Sequence, residues 1–231
     1  MSCSAPSFMR HNLKTRLGRW IARLDMYLVD HGAFRALYNN LHHLGGGMYR
    51  LSQPSPAQLR RYRKTLGIRT VLNLRGENLG QGSYALEADA CRRLGLKLIS
   101  FSLGSRRMPR VDEVLALRDA FQTIEYPAML HCKSGADRAG LASALYRHFH
   151  LGDPIEKLTE LSWRYGHFQF GNTGRLDYFF EAYLAAHRAR PIAFLDWVQN
   201  VYDPEALQAE YDQRRKSKLG TWFVDKVLRR E

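Results

Sequence analysis

A chain of 231 residues with 45% hydrophobic and 12% aromatic side chains has material for one substantial core, which excludes an intrinsically disordered protein. Its 35 Lys+Arg against 22 Asp+Glu, a formal charge of +13, set up a field that attracts phosphorylated surfaces, acidic headgroups and nucleic acids alike. Three cysteines, odd in number and scattered, make neither a disulfide framework nor a metal-ligand spacing, so a reducing, cytoplasmic setting fits.

In chain order, Leu13, Leu17, Trp20, Ile21, Leu24, Tyr27 and Leu28 fall on one helical stripe with basic residues between them. Such a stripe either packs on its own domain, the commoner outcome, or lies on an anionic membrane surface with Trp20 at the boundary. Arg10, Lys14, Arg16, Arg19 and Arg23 interrupt the apolar residues, so no secretory signal is expected. No apolar run reaches the length of a membrane-spanning helix. A cytoplasmic protein, at most peripheral at the membrane, is the expectation. Gly45, Gly46 and Gly47 read as the end of a helical extension over 1–45 and the start of an α/β domain over 46–190.

Within that domain the patterning predicts strands over 49–51, 69–74, 96–103 and 128–131, and helices over 54–66, 83–94 and 111–124. Leu141, Ala142, Leu145 and Phe149 mark a further helix beginning near residue 138. Helices over 158–170 and 176–187 follow, joined by GNTGR (171–175). A basic extension over 191–231 ends in an amphipathic run containing Trp222, Phe223, Val224, Val227 and Leu228. Alternating strands and helices specify an α/β fold, a central sheet flanked by helices, with helical extensions at both ends.

The chemistry concentrates in HCKSGADRAG (131–140), where a strand pattern gives way to a helix pattern. Ligands of α/β folds bind at such strand ends. The residues between Cys132 and Arg138 can turn their backbone N–H groups inward, and the following helix adds the positive end of its dipole. Such a nest favours the thiolate of Cys132, and the Arg138 guanidinium suits two phosphate oxygens at once. The plainer alternative is an inert core cysteine. Context speaks against it: Cys3 has Met9 and Cys91 has Lys97 six residues on, so among the three only Cys132 has an arginine there. Lys133, Ser134, Gly135 and Ala136 would form the substrate-binding loop. Arg106, Arg107 and Arg110 would overhang it, either gripping further phosphate or forming a solvated basic surface.

His131, Cys132, Gly135 and Arg138 match HC-x5-R residue by residue, and the chain here resembles the cysteine-dependent protein tyrosine and dual-specificity phosphatases. MYRLSQPSPAQL (48–59) and GIRTVLNLRGE (67–77) resemble the opening of the compact bacterial and plant-type dual-specificity branch. The resemblance implies a phosphatase-like fold and hydrolysis of phosphate monoesters through a cysteinyl-phosphate. No metal or other cofactor is expected, because the amide nest and the arginine replace the cation that would otherwise neutralise the transition-state charge. Ala139 departs from it, standing where the family carries a Ser or Thr hydroxyl that helps the thiolate leave. The family's general acid, an aspartate about thirty residues before the cysteine, has no counterpart near Gly104 and Ser105; Asp112, the next carboxylate, reads as the first turn of a helix. Some branches, the myotubularins among them, carry an aspartate just before the arginine, which assigns the acid to Asp137; its plainer role is a structural partner for a basic group. His167 and Gln169 either position the hydrolytic water or, more commonly for such residues, make interhelical hydrogen bonds.

The expected substrate is a phosphorylated protein or another phosphate monoester. Two alternatives stand beside it: a phosphoinositide or other lipid-phosphate phosphatase at an anionic membrane surface, and a catalytically impaired phosphate-binding module. No helix-turn-helix, zinc-knuckle or RNP-type string accompanies the charge, so no nucleic acid is expected.

Overall fold

Every residue of the strand Ala128–Cys132 is buried, a pattern that requires helices on both faces of a sheet. In the computed structural model, which describes residues 13, 15–26, 39–169 and 172–228, the last twelve as backbone, this strand is the centre of five. The strands are β1 (His42–Gly45), β2 (Met48–Ser52), β3 (Thr70–Asn73), β4 (Lys97–Ser100) and β5 (Ala128–Cys132). Their order is β1-β2-β5-β3-β4, parallel except for the β1–β2 hairpin. The helices are α1 (Arg16–Leu24), α2 (Pro56–Leu66), α3 (Gly82–Leu94), α4 (Val111–Thr123), α5 (Asp137–Leu151), α6 (Arg175–Ala189), α7 (Phe194–Asn200) and α8 (Pro204–Leu228).

Local chemistry explains the boundaries. Ser55 caps α2 through a reciprocal capping box with Gln58, Pro56 opens its first turn, and Gly67 ends it at φ 67°. One face of the sheet packs Met48, Leu72 and Leu130 against Val114, Leu117 and Phe121 of α4 and Leu141 and Leu145 of α5. The other packs Leu51, Val71 and Met129 against Leu59 and Tyr62 of α2 and Ala90 and Cys91 of α3. Burial pushes the Cys91 thiol up to about 12, so this cysteine is core filling.

Two sequence expectations are corrected, and a third, that the N-terminal stripe packs on its own domain, is met but largely by other residues than the stripe. The triple glycine is a hairpin turn rather than the end of a helical region: Gly45, Gly46 and Gly47 have φ of 97°, 54° and 81°, and His42–Gly45 is a strand. HHLG has no alternation to announce it; its partner β2 imposes it. The segment after α5 is not a helix over 158–170. It makes single 3-10 turns at Ile155–Lys157 and Trp163–Tyr165, with Phe170 outside the described residues. Between the turns the Glu160 carbonyl accepts from the Arg50 guanidinium at 2.8 Å, and Thr159 N–H donates to the Glu160 carboxylate at 2.8 Å; both backbone groups serve side chains instead of a helix. Finally, α1 docks on α3 through Ala22, Met26 and Leu13 against Leu86, and Asp25 Oδ2 accepts from Gly82 N–H at 2.6 Å. The small residue makes the closest approach, and Leu17, Trp20 and Ile21 are left 67%, 59% and 46% exposed. Tyr27 and Leu28 of the predicted stripe, and the side chains of the C-terminal one, lie outside the described residues.

Candidate active site

β5 delivers Cys132 opposite Ser52 of β2, and α5 begins at Asp137, five residues on. The four carbonyls between are all occupied from behind. Lys133 C=O accepts from Gln53 N–H at 3.3 Å, and Ser134 C=O from Asn40 Nδ2 at 3.2 Å. Gly135 and Ala136 C=O accept from one Arg50 Nη2 at 2.7 and 3.2 Å. In a planar trans peptide the next N–H points opposite to the C=O. The amides of Ser134, Gly135, Ala136 and Asp137 are therefore aimed at the mouth of the loop, and among the described residues they donate to no protein acceptor. This is an anion nest capped by a helix N-terminus.

Gly135 sits at φ 76°, and a Cβ there would lie 2.8 Å from the backbone of Leu51 and Ser52, so only glycine fits. Cys132 is 2% exposed. Arg138 is half-buried and makes no hydrogen bond or ion pair with the protein among the described residues. A guanidinium without an internal partner beside empty amide donors is a site shaped for an external oxyanion.

The supports were mostly missed by sequence reasoning. Arg50 is fully buried in β2; besides the loop carbonyls it reaches Glu160 C=O and stacks 4.1 Å from the Tyr165 ring. Asn40 also bonds Tyr165 C=O at 3.0 Å. Behind Cys132 the fully buried His131 brings Nε2 within 2.6 Å of Glu87 Oε1, a close contact in which neither atom makes a hydrogen bond. Glu87, itself fully buried on α3, accepts from Gln53 Nε2 at 3.3 Å, and Gln53 accepts from Arg75. The available signal was a charged residue within each apolar pattern, Arg50 in MYRLS and Glu87 in SYALEADA.

Asp137 bonds His167 Nδ1 through Oδ1 at 2.7 Å, and His167 Nε2 meets Asp177 Oδ2 at 2.7 Å. Burial alone would lower the His167 pKa; the bonds to the two carboxylates overcome it and raise the value to about 9. His167 and Gln169 do make hydrogen bonds between segments, Gln169 Nε2 donating to Asp177 at 3.1 Å. Asp112 lies in the first turn of α4, and its bond to Arg110 holds its carboxyl below the usual range. Arg107 is tied to Glu113 and to Met108 C=O, while Arg106 is exposed without a described partner. Of the predicted rim, Arg106 is thus the guanidinium left for solvent or ligand. Among the described residues no three His, Cys, Asp or Glu side chains gather as metal ligands.

No protein-family profile matches the chain, and no curated protein matches it by sequence. Solved structures do match by shape. TpbA of P. aeruginosa superposes with a TM-score of 0.51 at 19% identity, over 69% of this chain and 88% of that one. A second TpbA structure, in complex with phosphotyrosine, gives 0.52. A DUF442 phosphatase of Shewanella putrefaciens CN-32 gives 0.52 at 15% identity, over 64% and 91%. The fold is that of the cysteine-based protein tyrosine and dual-specificity phosphatases. In this phosphatase fold the loop after β5 occupies the carboxyl edge of the central strand, where the nest, Cys132 and Arg138 are assembled.

Proposed function

We propose that the protein is a phosphatase that hydrolyses phosphate monoesters through a cysteinyl-phosphate, of the protein tyrosine or dual-specificity type. The observation that carries this is the run of four loop carbonyls fixed from behind, which leaves their amides, Cys132 and Arg138 to one tetrahedral dianion. The phosphotyrosine complex of TpbA, a protein of the same fold, supports the reading. Cys132 attacks phosphorus, and the loop from Lys133 to Ala136 with Arg138 holds the equatorial oxygens. Asp137 protonates the departing oxygen and Arg106 widens the electropositive rim. Water then hydrolyses the thiophosphate. The amides, the α5 dipole and the guanidinium supply the positive charge that the transition state needs, so no metal is called for. The setting proposed is the cytoplasm.

Phosphate release measured across phosphotyrosine, phosphoserine and phosphothreonine peptides, phosphoinositides and simple aryl phosphates is the test. Release from at least one class, blocked by vanadate and unaffected by EDTA, is expected. Tight binding of phosphate esters with no release from any would leave a binding module instead.

A second reading, action at an anionic membrane surface, is favoured by α1, whose docked face leaves Leu17, Trp20 and Ile21 outward in a chain of charge +13. No helix among the described residues is long and apolar enough to cross a membrane. On this reading the protein co-sediments with anionic vesicles and Trp20→Ala reduces that binding several-fold; protein remaining in the supernatant removes it.

A further inference from the structure

We propose that Asp137, His167 and Asp177 form a proton relay for the leaving group, in which Asp137 touches the substrate while His167 and Asp177 act through it as positioning residues. The relay rests on the phosphatase reading above. The chain brings His167 to the loop by closing the Trp163–Tyr165 turn on Gly166 at φ 77°. There His167 is buried, each ring nitrogen 2.7 Å from a carboxylate: Asp137 from α5 on one side and Asp177 from α6 on the other. Among the described residues these are the charged side chains in contact with it.

A simple structural link would need one carboxylate. Two carboxylates around one imidazolium leave a net negative charge beside a cradle built for a dianion, which works against binding. The arrangement makes sense if it supplies a proton. Asp137 is a quarter exposed, and Oδ1 faces His167 while Oδ2 has no partner among the described residues. Asp177 fixes the imidazole by holding Nε2–H, so the mobile proton is the one on Nδ1. The raised pKa of His167, about 9, keeps that proton loaded through neutral pH.

In the first step the Sγ–P bond forms as the P–O bond breaks. The departing oxygen takes a proton from the Asp137 carboxyl, which received it from His167 Nδ1 and carries it over by a half-turn about Cβ–Cγ. Neutral His167 keeps Nε2–H on Asp177. In the second step the oxygen of water bonds phosphorus, the P–S bond breaks to return the thiolate, and the proton of water passes through Asp137 back to Nδ1. The relay ends as it began.

The test compares phenyl phosphate, whose phenol (pKa about 10) needs a proton to leave, with 2,4-dinitrophenyl phosphate, whose phenolate leaves without one. For His167→Gln and Asp177→Asn, kcat on phenyl phosphate is expected to fall about 100-fold, with that on the dinitrophenyl ester within about threefold. The alkaline limb of kcat for phenyl phosphate is expected near pH 9 in the unaltered protein, where His167 loses its proton, and at lower pH in His167→Gln, and Asp177→Glu is expected to restore part of the loss. Equal losses on both esters, or an unmoved limb, would overturn the relay and leave a structural link. Absence of release from the dinitrophenyl ester by the unaltered protein would overturn the phosphatase reading, and the relay with it.

Discussion

Cys132→Ser is expected to eliminate phosphate release, by at least about 1,000-fold on any substrate that the unaltered protein turns over. A hydroxyl in place of the thiol stays protonated at neutral pH even among amide donors, so the nest keeps its shape and loses its nucleophile. The side chain is almost completely enclosed at the end of β5, and the exchange is nearly isosteric. Melting should therefore shift by no more than a few degrees, and inorganic phosphate or tungstate should still bind. Cys91→Ser is the control: that thiol lies in the apolar layer between the sheet and α3, so activity persists whatever it does to stability. Residual turnover in Cys132→Ser comparable with the unaltered protein would move the chemistry elsewhere.

The second large effect is expected at Arg50, a residue that never faces the substrate side of the loop. Arg50→Met keeps much of the aliphatic volume but leaves the carbonyls of Gly135, Ala136 and Glu160 without their donor. A buried carbonyl deprived of its partner costs about 1–3 kcal/mol, and bonds to a charged donor are worth about as much. A net loss on the order of 3 kcal/mol follows, lowering Tm by roughly 6–12 °C for a chain of this size. Peptides of the loop then rotate, because nothing holds their oxygens back, and the amides leave the positions that phosphate needs. Losing one preorganised donor alone costs about 100- to 1,000-fold in rate, so activity at a temperature where the variant is folded should drop by at least that factor. Arg50→Lys, a single point of charge in place of a fork, should recover stability better than turnover. Full activity in Arg50→Met would show that the loop holds its own shape.

Much of this site was legible because its parts are neighbours in the chain. Cys132 and Arg138 share a ten-residue string, the strand before and the helix after have clear patterns, and Asp112 in its first turn follows from Pro109 and the paired carboxylates. What escaped is what folding brings together from afar. Arg50 meets Gly135 across 85 positions and Asn40 meets Ser134 across 94; neither pairing leaves a local mark. The stretch after α5 has apolar residues at helical spacing, yet its backbone is committed to Arg50 and Glu160. In α1 the eye follows Leu17 and Trp20, whereas a close helix contact is made by the smaller Ala22. His167 showed as a residue near the loop, but its place between two carboxylates depended on a turn that no periodicity announces.

Asn40 holds φ at 48°, a left-handed conformation that asparagine tolerates better than most residues, and from it one amide group clasps both Ser134 and Tyr165. The back wall of the candidate pocket therefore begins upstream of the triple glycine. A shortened chain opening at residue 46 would discard that clasp and the outer hairpin strand together, so a fragment that keeps the loop's support intact has to reach back at least to Asn40.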